Sequence, residues 1–157
     1  MAIEIERKFL LANEEWRAQV SESQYLAQGY LGGTRCSVRV RIGGERAWLN
    51  LKSMALGTTR LEFEYAIPLD DAKVMLKELA EGPVVAKTRH YVDIGAHRFE
   101  IDEFDGDNSG LIVAEVELSE AGEDFPRPPW LGDEVTDDSR YYNVNLARKP
   151  FRTWESR

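Results

Sequence analysis

Charged residues of one sign recur along this chain at a spacing of two. Glu4 and Glu6, Glu62 and Glu64, and Glu115 and Glu117 form Glu-x-Glu pairs, and Glu100 with Asp102 is a further acidic pair. Arg39 and Arg41 form an Arg-x-Arg pair, and Lys87 and Arg89 a Lys-x-Arg pair. In a β-strand, residues two apart share a face. Each pair therefore places like charges side by side. A half-solvated antiparallel sheet also carries polar residues on alternate positions. It favours interspersed signs, because like charges on one face repel. Sorting by sign suits a site that holds cations and anions together. Paired carboxylates offer hard oxygen ligands to a divalent metal. Clustered guanidinium and ammonium groups grip phosphate oxygens. A metal-bound polyphosphate needs both.

The elements that must position these pairs are short alternating segments. Strands are expected over Ile3–Leu10, Gln24–Leu31, Cys36–Ile42, Glu45–Lys52, Thr58–Ile67, Val84–Ile94, His97–Phe104 and Leu111–Leu118. Gly43-Gly44 reads as a hairpin turn, and Gly95-Ala96 as another. A helix is expected over Asp70–Glu81, with Ala72, Met75, Leu76 and Leu79 on one face and acids at its start. Weaker helices are expected over Asn13–Val20 and over Asp138–Arg148, the latter capped by Asp138 or Ser139. Phe125–Trp130, with three prolines, is a stiff extended connector. If all the charged faces address one ligand, the sheet must curl until they converge. Closing about eight strands into a barrel does this, and the apolar faces then point outward under the helices. Periodicity alone leaves open which face is inside.

The 157 residues suit one domain spanning 1–157, without repeats, low-complexity tracts or a Gly/Ser/Pro-rich linker. A net charge of −8 argues against nucleic acid or an anionic membrane as partner. The single cysteine, Cys36, allows no internal disulfide and suits a reducing cytoplasm. The opening MAIEIERKFL has no basic region followed by an apolar run, so no secretory leader is expected. No apolar stretch reaches spanning length. His90 and His97 lack zinc-site spacing with Cys36, and His90 is expected to point away from the charged face that holds Arg89. Trp16, Trp48, Trp130 and Trp154 read as packing residues. There is no G-x-x-x-x-G-K loop, which is consistent with phosphate being held by side chains.

The ordered motifs carry a resemblance. Glu4-Ile5-Glu6-Arg7-Lys8 is similar to the E-x-E-x-K signature of the CYTH superfamily, the triphosphate tunnel metalloenzymes. It is followed by Gln28-Gly29-Tyr30-Leu31, Arg39-Val40-Arg41, Leu51-Lys52-Ser53, Arg60–Tyr65, Lys87–Tyr91, Glu100-Ile101-Asp102, Glu115-Val116-Glu117 and the tail Pro128–Thr136 with Arg140–Asn143. The tail resembles the small bacterial members. The resemblance runs from Glu4 to about Ala147.

It implies an α+β fold: an eight-stranded antiparallel β-barrel with a charged interior and a few covering helices. It implies Mg²⁺ or Mn²⁺, two ions in all, and a small-molecule triphosphate as partner. Glu4, Glu6, Glu115 and Glu117 would be the leading metal ligands. Glu100 and Asp102, with Glu62 and Glu64, would be secondary ligands or orient water and basic side chains. Lys8, Arg39, Arg41, Lys52, Arg60, Lys87, Arg89 and Arg140 would hold phosphate oxygens. Glu62, Glu64 or Lys87 would position or deprotonate the attacking water. Where small members carry further lysines around the closing helix, this chain has Ser139, Tyr142 and Val144, which leaves that end less basic. The expected activity is hydrolysis of inorganic triphosphate to phosphate and pyrophosphate by water attack on a terminal phosphorus. The alternatives are an enzyme on an organic triphosphate (a thiamine or nucleoside triphosphatase, or a class IV adenylate cyclase) and a non-catalytic polyphosphate-binding module. The oligomeric state stays open, a homodimer included.

Overall fold

Alternation in the sequence becomes strand alternation in the structure, a computed structural model that describes residues 3–54 and 58–154. The strands are β1 (Ile3–Leu11), β2 (Glu22–Gly32), β3 (Cys36–Gly43), β4 (Arg46–Ser53), β5 (Thr59–Ile67), β6 (Val85–Ile94), β7 (His97–Phe104), β8 (Ile112–Glu117) and β9 (Leu131–Glu134). Two α-helices, α1 (Leu69–Glu78) and α2 (Asn143–Arg148), and short 3-10 turns complete the chain. All strand pairs are antiparallel, in the order β5-β4-β3-β2-β6-β7-β8-β1. Pairing of β1 with β5, with Glu4 opposite Arg60, closes the eight strands into a barrel. Further along, β1 is released from β5, and its free edge takes up β9 through Phe9 and Leu11.

Two of the three apolar clusters lie outside the barrel. Phe9, Val92, Phe99, Ile101, Ala114 and Val116 point outward and pack under Trp16, Trp130 and the proline-rich connector. Val40 and Ala47 pack under Ala72 of α1. The third cluster is on the inner face: Val85, Phe104 and Val113 share the parity of Lys87, Asp102 and Glu115, and with Leu111 they pack against Leu146 and Ala147 of α2 and Trp154. The apolar side chains of three different coverings are thus removed from water, at about 1.5–3 kcal/mol for each large one. Close approach of α1 needs the absence of a side chain at Gly29, where a Cβ would stand 2.7 Å from Leu76 Cδ2. Likewise a Cβ at Gly132 would stand 2.7 Å from the backbone oxygen of Leu10, so β9 lies tight against β1 only as glycine.

Several local expectations are corrected. The β3–β4 hairpin turns at Gly44-Glu45 rather than Gly43-Gly44, because Gly43 still pairs with Arg46; Gly44 takes the positive φ of +61° that such turns need. The 13–20 segment forms only a 3-10 turn, Glu15–Gln19. The 138–148 segment is broken: Asp138 caps a 3-10 turn by accepting from the Arg140 backbone N–H, Tyr142 is extended, and α2 starts at Asn143. Tyr142 is held in that break by its hydroxyl, which donates to the Thr136 carbonyl at 2.7 Å. β9 was not expected; its four residues carry no alternating apolar pattern, and its pairing is supplied by the free edge of β1.

Candidate active site

The side chains that alternate with the outward core meet in a cavity of about 580 Å³ inside the barrel. β1 contributes Glu4, Glu6 and Lys8; β3 Arg39 and Arg41; β4 Asn50 and Lys52; β5 Arg60, Glu62 and Glu64. β6 adds Lys87 and Arg89, β7 Glu100, and β8 Glu115 and Glu117. One end is formed by Tyr142, Asn143 and Val144 from the segment that breaks before α2.

Most of these charges are paired across strands. Lys52 Nζ is 3.0 Å from Glu4 Oε1 and 3.7 Å from Glu62 Oε2, Arg60 Nη2 is 3.7 Å from Glu6 Oε1, and Lys8 Nζ is 3.2 Å from Glu115 Oε1. Asn50 Nδ2 donates to Glu62 Oε2 at 3.0 Å. The Tyr142 ring lies under both Arg60 and Lys8, at 4.8 Å and 5.4 Å. Arg39 and Arg41 are different. Neither has a carboxylate partner among the described residues; Arg41 Nε donates only to Gln28 Oε1, and Arg39 Nε is buried with no acceptor. Buried cations without counter-ions are costly, and here they face a cavity, which marks the place an anion would fill. Burial, reinforced by Arg39 and Arg89, lowers Arg41 to about 9.

The acids show the complementary strain. Glu6 is pushed up to about 8 by burial and by repulsion from Glu115 and Glu4, against the pull of Lys52 and Lys8. Burial also raises Glu4, and burial with Glu100 and Glu62 raises Glu117. Glu115 is buried too, yet Lys8, Arg89 and Lys87 hold it well below the usual range. As placed, no three carboxylates among the described residues enclose an ion. In kind and charge the set fits a hard divalent cation. Glu4 Oε1 is met by the Lys52 ammonium at 3.0 Å, and the repulsion among Glu4, Glu6 and Glu115 is what a cation would relieve. Ligation requires Glu4 and Glu6 to exchange Lys52 and Arg60 for the metal.

The CYTH domain family's sequence pattern matches residues 2–150. The chain belongs to the CYTH family. It is 38% identical over 156 residues to an inorganic triphosphatase of Acetivibrio thermocellus, covering 99% of each chain. It is 40% identical over 149 residues to an inorganic triphosphatase of Nitrosomonas europaea, covering 92% of this chain and 96% of the relative. The crystal structure of the inorganic triphosphatase NE1496 matches at a TM-score of 0.64 and 37% identity, over 94% of this chain and 95% of that one. A Pyrococcus horikoshii protein, PH1012, shares the fold at 18% identity and a TM-score of 0.60, over 75% of this chain and 80% of its own. The closed eight-stranded barrel is thus the CYTH tunnel fold.

Within this CYTH barrel, the cavity gathers Glu4, Glu6, Lys8, Arg39, Arg41, Lys52, Arg60, Glu62, Glu64, Lys87, Arg89, Glu100, Glu115 and Glu117. Two expected residues stand elsewhere. Asp102 lies behind the lining with both oxygens occupied: Oδ2 accepts from Lys87 Nζ at 2.6 Å and Arg89 Nη2 at 2.9 Å, and Oδ1 accepts from Arg89 Nε at 2.8 Å. Burial opposes its charge, but Arg89 and Lys87 outweigh burial and hold it at about 2. It is the counter-ion that orients two cavity-lining cations. Arg140 is exposed on the outside, where it doubles back onto Asp138 and stacks over Tyr141 and Trp154. Trp48, expected in the packing, lines the cavity with Tyr91, since both share the inward parity of their strands. His90 points outward, between Ser23 and Glu103. Residues not anticipated are Gln28, whose parity with Leu26 and Tyr30 was the available signal, and Asn143, for which no local pattern exists.

Proposed function

We propose that this CYTH protein hydrolyses inorganic triphosphate to phosphate and pyrophosphate in a metal-dependent reaction. The observation that carries the reading is the coexistence, in one cavity, of two guanidinium groups without a carboxylate in ion-pair contact among the described residues and a set of mutually repelling carboxylates. Two curated relatives that cover nearly the whole chain bear the name inorganic triphosphatase. Strands drawn from Ile3 to Glu134 into one barrel support a single domain over 1–157. The lone cysteine supports a cytoplasmic location.

In this reading Arg39 and Arg41 bind phosphate oxygens in place of missing counter-ions. Lys8, Lys52, Arg60 and Arg89 surround the rest of the chain of phosphates, Arg89 being held by Asp102. Glu4, Glu6, Glu115 and Glu117 would hold Mg²⁺ or Mn²⁺, with Glu100 in support. A bound divalent cation neutralises developing charge on phosphate oxygens and lowers the pKa of a coordinated water. Water attacks the terminal phosphorus in line. One P–O bond forms from the water oxygen, the bridging P–O bond breaks, and pyrophosphate leaves with that bond's electron pair. Glu62 or Glu64 takes up the water proton. Lys87, lowered to about 7 by burial despite Asp102, can exchange a proton near neutrality and is the alternative to these carboxylates.

A second reading, an organic triphosphate as substrate, has one observation in its favour: the aromatic side chains of Trp48 and Tyr91 in the lining. Released phosphate from tripolyphosphate, thiamine triphosphate and ATP, each with Mg²⁺, Mn²⁺ or EDTA, separates the two. Fast release from tripolyphosphate that EDTA stops is the expected result. Turnover confined to an organic triphosphate, or cyclic AMP from ATP, gives the second reading; binding without turnover of any gives a binding module. Solvent ¹⁸O must enter released phosphate in a single turnover, and its absence rules out direct water attack.

A further inference from the structure

Two uncharged side chains form a bridge between cations on different strands. Arg41 Nε donates to Gln28 Oε1 at 2.9 Å, Gln28 Nε2 donates to Asn143 Oδ1 at 3.0 Å, and Lys87 Nζ donates to the same Asn143 Oδ1 at 2.9 Å. Gln28 and Lys87 are both 0% exposed. The amide orientations follow from the partners. Guanidinium and ammonium groups only donate, so Gln28 turns its oxygen to Arg41 and Asn143 turns its oxygen to Lys87. Gln28's remaining nitrogen then meets Asn143 Oδ1, and the two ends of the bridge agree. Asn143 Oδ1 thereby accepts two hydrogen bonds, its full complement of lone pairs. Its Nδ2 donates to no protein group among the described residues, and Asn143 is in the cavity lining. Nδ2 is the polar group of this side chain left for a ligand.

The choice of amides matters electrostatically. Arg41 and Lys87 repel each other, and carboxylates between them would cancel the charge a phosphate needs. Lys87 already has Asp102 behind the lining at 2.6 Å; the amide carbonyls orient the two cations without adding a further negative charge, a preorganised arrangement that favours an anion. We propose that Asn143 binds a phosphate oxygen of the substrate through Nδ2 and, with Gln28, positions Lys87 and Arg41 for the same phosphate chain. The proposal rests on the triphosphatase reading, and it assigns an uncharged donor to the end of the tunnel formed by Tyr142–Val144.

The test compares wild type, Asn143→Asp, Asn143→Leu and Gln28→Leu. Steady-state turnover of tripolyphosphate with Mg²⁺ is measured beside calorimetric titration of tripolyphosphate in EDTA. Asn143→Leu removes the free donor without adding charge and is expected to raise KM in the same sense; Asn143→Asp retains an acceptor for Lys87 and Gln28 but exchanges the donor for a negatively charged oxygen. It is expected to raise KM about tenfold or more, with a matching loss of metal-free affinity, a smaller change in kcat and an unaltered melting temperature. Gln28→Leu is expected to lower kcat/KM about tenfold by releasing Arg41. Asn143→Asp or a folded Asn143→Leu with KM and metal-free affinity within about twofold of wild type overturns the proposal, since loss of a phosphate donor must weaken both. If Asn143→Leu does not fold, Asn143→Asp and Gln28→Leu still decide. A wild-type protein that binds tripolyphosphate without hydrolysing it overturns the triphosphatase reading, and the calorimetric comparison then decides the role of Asn143 alone.

Discussion

Single charges in this tunnel have opposite fates, and the difference lies in what each one meets. Asp102 has two cations on its two oxygens and is spent on them, whereas Glu6 is buried 3.7 Å from Arg60 and beside two other carboxylates. Glu6→Gln keeps the volume of the side chain and removes a candidate metal oxygen. It is expected to lower metal-dependent turnover at least about 100-fold, the upper range for even outer partners of a metal. The metal-free variant is expected to melt higher than wild type near pH 8, because a buried carboxylate is gone; wild-type turnover in this variant would remove Glu6 from the metal set. Glu4, Glu6, Arg39 and Arg41 were legible in the sequence because period two is a local property. The duties of Asp102, Arg140 and Asn143 were not. They depend on neighbours 13, 2 and 56 positions away brought together by register and by a break in the chain.

At the scale of elements, tilted strands place the site only if their outward faces are covered closely. Eight strand expectations matched the observed elements within a few residues, since turn glycines and alternation both mark them. β9 escaped because its pairing is decided by where β5 leaves β1. Gly132→Ala tests that seam. An added Cβ would meet the backbone of Leu10 rather than a side chain that can rotate away. The expected cost is about 1–3 kcal/mol, typical of overpacking, read as a lower urea midpoint with an unchanged denaturant slope. A neutral outcome would mean that β9 can lift from β1 without loss. α1 was anticipated from its apolar face, and its early end at Glu78 follows from the chain turning to let the Glu81 N–H donate to the Tyr30 carbonyl.

For the whole molecule, inverting the usual barrel makes stability depend on what fills the tunnel. Glu6 titrates at about 8 in the folded protein and near 4.5 when exposed. Between those values the folded state holds a proton that the unfolded state has released, so the stabilisation present below 4.5 is lost as pH rises through 8. Asp102, at about 2, adds stability above its ordinary 3.8 and is constant across this window. Lys87 works the other way only above about 7. The metal-free protein is therefore expected to melt progressively lower from pH 5 to pH 7, with Glu6 alone contributing on the order of a few kcal/mol. Added Mg²⁺ should raise the melting temperature more at pH 8 than at pH 5, because carboxylates must be deprotonated to bind it. A melting temperature flat over this range without metal would show that Glu6 is already ionised.

β1 is the strand on which everything closes, pairing with β5 through Glu4 and Arg60, with β8 through Glu6 and Glu117, and with β9 through Phe9 and Glu134. Those partners arrive long after β1 during synthesis. Until β8 is made, Glu4 and Glu6 have no Glu115 or Glu117 beside them, so a nascent chain carries the opening signature without the carboxylate set proposed to hold the ion. Such long-range closure belongs to the slow class of folding reactions, about milliseconds to seconds rather than microseconds. The charged lining is assembled only when the first strand finds its last partners, so an unfinished chain has the residues of the tunnel without the tunnel.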